Sequence, residues 1–132
     1  MTERLPPRAT LLGGILLWFA VLGGAISWTV HAIAAWSIDE LACAAGRDEL
    51  AGVPLIAAVG LAVAIPAVGA AAALAVSWLA WQRTRPDGPA GADRPVDRAH
   101  LLAIIGLWLN LLSLTIIILG GVATLVLPPC QR

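Results

Sequence analysis

The stretch ATLLGGILLWFAVLGGAISWTVHAIAAWSI, residues 9–38, contains no Asp, Glu, Lys or Arg. Two further windows, 50–82 and 99–131, are equally free of them. A helix needs about 20 mainly apolar residues to cross a bilayer, and each window exceeds that. None of the three alternates apolar and polar residues with the period of a strand. Backbone groups in lipid must be satisfied within the segment, which leaves the helix as the solution. The reading is an all-α membrane protein with three transmembrane helices, at 11–36, 54–81 and 101–127.

The rest of the composition agrees. The 132 residues are 60% hydrophobic and 12% charged, with a mean hydropathy of +0.90. Too little chain remains outside the helices for a soluble domain, so residues 1–132 form a single integral membrane domain. A secretory signal is the alternative for the first window, with Ala32-Ile33-Ala34 resembling a cleavage site. The apolar core of a signal runs about 7–15 residues, and this one is far longer. The lipid bilayer is the first partner implied.

Arginine sets the orientation, since lysine is absent. Arg4 and Arg8 precede the first helix, and Arg83, Arg85, Arg94 and Arg98 lie between the second and third. Arg47 and Arg132 are the only cations on the other side. By the positive-inside rule the N-terminus and the second loop are cytoplasmic, and the C-terminus is periplasmic or external. The second loop, residues 83–100, is rich in Pro, Gly and Asp and reads as a flexible connector. This is the pattern of a multi-pass protein of the bacterial inner membrane.

The same topology puts Cys43 and Cys130 just past the outer ends of helices one and three. They are the only cysteines, and they face the oxidising side. A disulfide tying the two helices together is the leading expectation. Free thiols and shared metal ligation are the alternatives.

Small and polar residues recur on one face of each helix. Ala20, Gly24, Ser27, His31 and Ala35 form a stripe on the first, and Gly106, Asn110, Ser113, Ile117, Gly121 and Thr124 on the third. The second offers Ala58, Ala62, Ala73 and Ser77, with Pro66 near its middle as a kink. Small residues let helices approach closely in lipid. Helices one and three are expected to pack through their stripes, with helix two alongside.

His31 then belongs to the packing face, about 11 Å from the middle of helix one and level with Gly120-Gly121. Asn110 lies about 6 Å to the other side of centre, so the two should not touch. An interhelical hydrogen bond is the first reading of His31, and a proton, haem or ligand role the second. His100, near the opposite membrane face, cannot share a haem with it in one subunit. Trp36, Asp39 and Glu40 mark the outer water boundary, the carboxylates also being a candidate docking patch or proton antenna. Trp78 and Trp81 mark the inner boundary, while Trp18 and Trp108 read as deeper residues that pack against helices or a partner.

No catalytic constellation appears: HExxH, CxxC and P-loop patterns are absent, and no nucleophile–base pair can be assembled. Basic patches with interleaved aromatics for nucleic acid are absent as well. The chain is read as non-enzymatic, with no cofactor and no metal.

The features Trp28-x-x-His31, Glu40-x-x-Cys43 and Pro128-Pro129-Cys130 resemble those of a group of small three-helix bacterial membrane proteins. That group is often encoded beside haem–copper cytochrome oxidase genes. The resemblance covers nearly the whole chain and implies an accessory or assembly role in terminal-oxidase biology, with other membrane subunits as partners. No catalytic residue carries over from it. Two rival functions are a homo-oligomeric transport or channel module and a haem-binding redox protein.

Overall fold

The structure is a computed structural model, and it describes residues 7–46, 49–50, 52–84 and 94–127. Three long helices dominate it: α1 (Pro7–Ala45), α2 (Leu55–Arg83) and α3 (Arg94–Val126). Between α1 and α2 lie two short strands, β1 (Glu49–Leu50) and β2 (Val53–Pro54). They pair antiparallel, with Glu49 opposite Pro54 and Leu50 opposite Val53. Gly52 has φ +82°, the left-handed conformation that a tight hairpin connection demands and that glycine adopts without a steric penalty.

All three helices are long and apolar enough to cross a membrane. The qualifying segments are Leu11–Ala45, Leu55–Arg83 and Arg98–Thr124. Prolines sit where helices tolerate them. Pro7 opens α1 and Pro95 falls in the first turn of α3, where the missing N–H has no helical acceptor to serve. The exception is Pro66, buried in the interior of α2.

Two boundaries differ from expectation. α1 runs to Ala45, nine residues beyond the expected end at 36. Asp39, Glu40 and Cys43 are therefore helical rather than in a following loop. The run Ile38–Ala45 holds good helix formers and no Gly or Pro, so nothing local stops the helix before Gly46. Gly46 has φ +56° and its N–H bonds Ala42 O at 3.0 Å, a helix ending through a left-handed residue. Likewise, α3 starts at Arg94, so the expected connector over 83–100 is helical at 83 and at 94–100. Residues 85–93 lie outside the described residues.

The longer α1 has its midpoint at Ile26, which brings His31 to about 8 Å from it instead of about 11 Å. α2 runs antiparallel to its neighbours. Ser77 meets Ala20 at one level and Ala62 meets His31 at another. α1 and α3 run parallel, with Asn110 beside Gly24 and Gly120 beside His31. α2 is a full partner in the core, contributing buried Pro66, Ala70, Ala73 and Ser77.

The interior is built from small and polar residues. Ala20, Ala70, Ala73, Ala103, Ser77 and Asn110 are buried, with Ile117 the one large apolar side chain sealed inside among the described residues. The outside carries Leu, Ile, Val and Trp, including Trp18, Leu61, Ile65, Trp108 and Leu119. This is the reverse of a water-soluble core, where burying apolar area drives folding. Here the close fit of backbones is what holds the helices. A Cβ on Gly23 would come to 2.6 Å from Ala73 Cβ, and one on Gly106 to 2.5 Å from Ala20 O.

Candidate functional site

Two polar centres join the helices. The first is built around Asn110, which is fully buried. Its Nδ2 donates to Ala20 O at 2.6 Å and to Ser77 Oγ at 2.9 Å, and its Oδ1 accepts from Gly24 N–H at 2.8 Å. Gly24 N–H and Ala20 C=O are the pair that bond to each other in a regular helix. The Asn110 carboxamide offers the same donor and acceptor as a peptide and engages both members. Ser77 completes the centre, its single O–H proton shared between Ala20 O at 2.7 Å and Ala73 O at 3.0 Å. Gly24 makes this approach feasible: a Cβ there would strike Asn110 Oδ1 and lie 2.8 Å from Asn110 Cα.

The second centre is His31 on α1. Its Nδ1 lies 3.0 Å from Ala62 O on α2. A carbonyl only accepts, so Nδ1 carries the proton. Ala62 stands four residues before Pro66, which has no N–H to return. The proline thus leaves Ala62 O without its helical donor, and the imidazole of α1 supplies one. His31 is buried, with 6% of its surface exposed. A Cβ on Gly120 would lie 3.1 Å from its Nε2, so α3 passes close to the ring's far edge.

Above His31 the three helices diverge around a cavity of ≈ 680 Å³. His31, Ala35, Asp39 and Ala42 of α1 line one wall, Val59, Ala62 and Val63 of α2 another, and Ala123 and Thr124 of α3 the third. Trp36 and Leu127 also border it. Thr124 Oγ1 donates to Gly121 O at 2.8 Å within its own helix.

The other expected site residues fall as follows. Ser27 is half-buried beside Gly69, whose Cβ would sit 2.7 Å from its Oγ. Ser113 is half-buried and Thr124 is exposed on the cavity wall. His31 and Asn110 bond different partners and belong to separate centres. Trp36 and Asp39 are exposed and Glu40 is half-buried. Cys43 is exposed in the last turns of α1, its Sγ 3.9 Å from Asp39 Oδ1. Cys130 and the prolines before it lie outside the described residues. No described cysteine is free. Trp18 and Trp108 turn away from the bundle, 68% and 65% exposed, so they do not pack against its own helices, and of the two expectations packing against a partner is the one that stands. A tryptophan is too large for an interior spaced by Gly and Ala.

At the opposite end, His100 Nδ1 lies 3.2 Å from Thr84 Oγ1, and Thr84 donates to Ala80 O at 2.8 Å. The Trp78 and Trp81 rings on α2 meet at a tilt of 46°, with centroids 5.0 Å apart. His31 and His100 are thus at different ends of the molecule. Among the described residues, no three His, Cys, Asp or Glu side chains gather as a metal site.

Sequence reasoning missed the pairing of His31 with the carbonyl freed by Pro66. The signal was present: a proline inside an apolar helix always orphans the carbonyl four residues earlier, and an intramembrane donor must go somewhere. Comparison with known protein families, curated proteins and solved structures finds no match for the chain, so its reading rests on these residues and their geometry.

Proposed function

We propose that the chain is a multi-pass protein of the bacterial inner membrane. In this reading it is a non-catalytic accessory subunit or assembly factor of a larger membrane complex, a terminal oxidase in the first instance. The observation that carries the reading is the use of polar side chains. Asn110, Ser77 and His31, the buried polar residues among those described, all bond a neighbouring helix. Such groups act as glue in lipid. The oxidase assignment is supported by the resemblance of the Trp28, His31, Glu40 and Cys43 motifs alone.

The tryptophans support the membrane placement. Gly69 is the midpoint of α2 and it abuts Ser27. Trp18 and Trp36 stand nine residues to either side of Ser27, and Trp78 nine residues beyond Gly69, each about 14 Å along its helix. Two aromatic levels about 27 Å apart match a hydrocarbon core of about 30 Å, with indoles at both interfaces. The arginine asymmetry supports a cytoplasmic N-terminus. The absence of a free cysteine among the described residues supports a Cys43–Cys130 bridge on the external side.

Purification from the native membrane in a mild detergent, with an absorption spectrum and identification of co-eluting chains, tests the role. Co-elution with oxidase subunits is expected. Elution as a colourless, solitary protein would overturn both the stable-subunit reading and any haem-binding one. A solitary symmetric oligomer would favour a transport or channel module.

A further inference from the structure

The cavity above His31 is more than a gap between diverging helices. Its volume, ≈ 680 Å³, falls in the range of small-molecule sites, about 300–1,000 Å³. Its walls are apolar except at His31, Trp36, Asp39 and Thr124. His31 forms part of its lining and is more than nine-tenths buried. Nδ1 of that ring is occupied by Ala62 O, so in the neutral ring Nε2 is an acceptor. Nε2 has no hydrogen-bond partner among the described residues, and no buried side-chain polar atom among them is sealed off unsatisfied. The atom therefore keeps access to the open space. Thr124 spends its proton on Gly121 O, leaving its oxygen as an acceptor. Asp39, eight residues and about 12 Å along α1 from His31, presents a carboxylate at the water-facing end of the same wall.

His31 Nε2, Thr124 Oγ1 and Asp39 all accept hydrogen bonds, and the one side-chain donor left among the lining residues is the indole N–H of exposed Trp36, which is not beside the buried imidazole in the α1 wall. A ligand that matches this wall brings its own donor. We propose that the cavity is a binding site for a lipophilic hydroxy compound, a phenol or alcohol. Its O–H donates to His31 Nε2 while its hydrocarbon body lies against Ala35, Val59, Val63 and Ala123. The fixed Nδ1 bond makes the site selective. It locks the tautomer, so a ketone or ether of the same shape finds no donor at Nε2 and leaves that acceptor unpaired. Thr124 and Asp39 give a second donor on the ligand a place nearer the mouth. The proposal stands apart from the accessory-subunit reading, since it depends only on the cavity and the imidazole.

The test uses the full chain in lipid nanodiscs with ¹⁵N-labelled histidine. The probes are para-hexylphenol and its methyl ether, which differ by one hydrogen-bond donor. The expected result is a saturable shift of the His31 Nε2 resonance by the phenol, with His100 unmoved and binding of the ether about tenfold weaker. Ala123→Trp, which fills the cavity from its α3 wall without touching His31, should abolish the shift and leave the Nδ1 proton signal in place. Equal effects of phenol and ether, or a shift of His100 as large as that of His31, would mean unspecific partition into lipid and overturn the site. Survival of binding in Ala123→Trp would overturn the location, and a resting His31 with its proton on Nε2 would overturn the tautomer argument.

Discussion

His31 on α1 donates from Nδ1 to the carbonyl of Ala62 on α2 across 3.0 Å, and that carbonyl is the one Pro66 leaves without a helical partner. A proline in one helix and a histidine in another thus form a single device. The proline creates an acceptor in an environment without water, and the histidine satisfies it. Each residue explains the other, and each is expensive in lipid alone: an unsatisfied carbonyl is penalised as any buried polar group is, and so is a buried imidazole N–H.

The pairing predicts a coupled mutational effect. His31→Phe should destabilise the fold by about 1–2 kcal/mol, because it leaves Ala62 O unpaired. Pro66→Ala restores an N–H at position 66, so His31→Phe in that background should be nearly neutral. Unfolding in mixed micelles measures the cycle. Equal costs in both backgrounds would show that the imidazole does not serve that carbonyl.

The Asn110 centre predicts an order among substitutions. Asn110→Ala leaves Gly24 N–H and Ala20 C=O placed to bond each other as in any regular helix, and the Ser77 O–H keeps Ala20 O or Ala73 O as its acceptor. Its cost should stay near 1 kcal/mol, the scale of measured interhelical bonds in membranes. Gly24→Ala should cost more, about 1–3 kcal/mol, because the new Cβ lies 2.8 Å from Asn110 Cα. Asn110→Ala cannot rescue it, since that Cα remains. Gly13→Ala and Gly14→Ala meet nothing within 4 Å and should be neutral or slightly stabilising. The same unfolding assay ranks all four.

Gly46 predicts where α1 ends. With φ +56°, Gly46→Ala should cost about 1 kcal/mol, and Gly46→Asn should recover part of it, since Asn tolerates that conformation. Thermal unfolding in detergent reads the difference. A neutral Gly46→Ala would mean that α1 does not stop in a left-handed residue.

The proposed bridge and topology predict one labelling pattern. A membrane-impermeant maleimide added to intact spheroplasts should label neither cysteine before reduction and both afterwards. Labelling of both without reduction would rule out the Cys43–Cys130 bond. Labelling that needs permeabilised membranes would place the C-terminus on the cytoplasmic side.

What could be read from the residues was the architecture. Charge-free windows of 30 or more residues leave no alternative to helices, because lipid offers the backbone no partner. The faces were legible too. Ala20, Gly24 and His31 on α1, and Gly106, Asn110, Ile117 and Gly121 on α3, all lie buried. Helix ends were not. Ile38–Ala45 contains carboxylates that resemble a water boundary, yet charge on a helix near an interface does not unwind it, and only the conformation of Gly46 terminates α1.

The partners of the polar groups were decided by tertiary structure alone. Spacing along a helix puts residues at a level and on a face, but which atoms meet depends on how closely two backbones approach. Gly24 and Gly106 set that approach for α1 and α3, and it delivers Asn110 to the backbone pair of Ala20 and Gly24 as well as to Ser77 Oγ. The packing of α2 through Ala62 and the line of α3 past Gly120 leave the cavity above His31. Composition and periodicity report the local preferences of a chain. The sites where a carbonyl is orphaned, capped or left facing open space arise only when three helices share one interior.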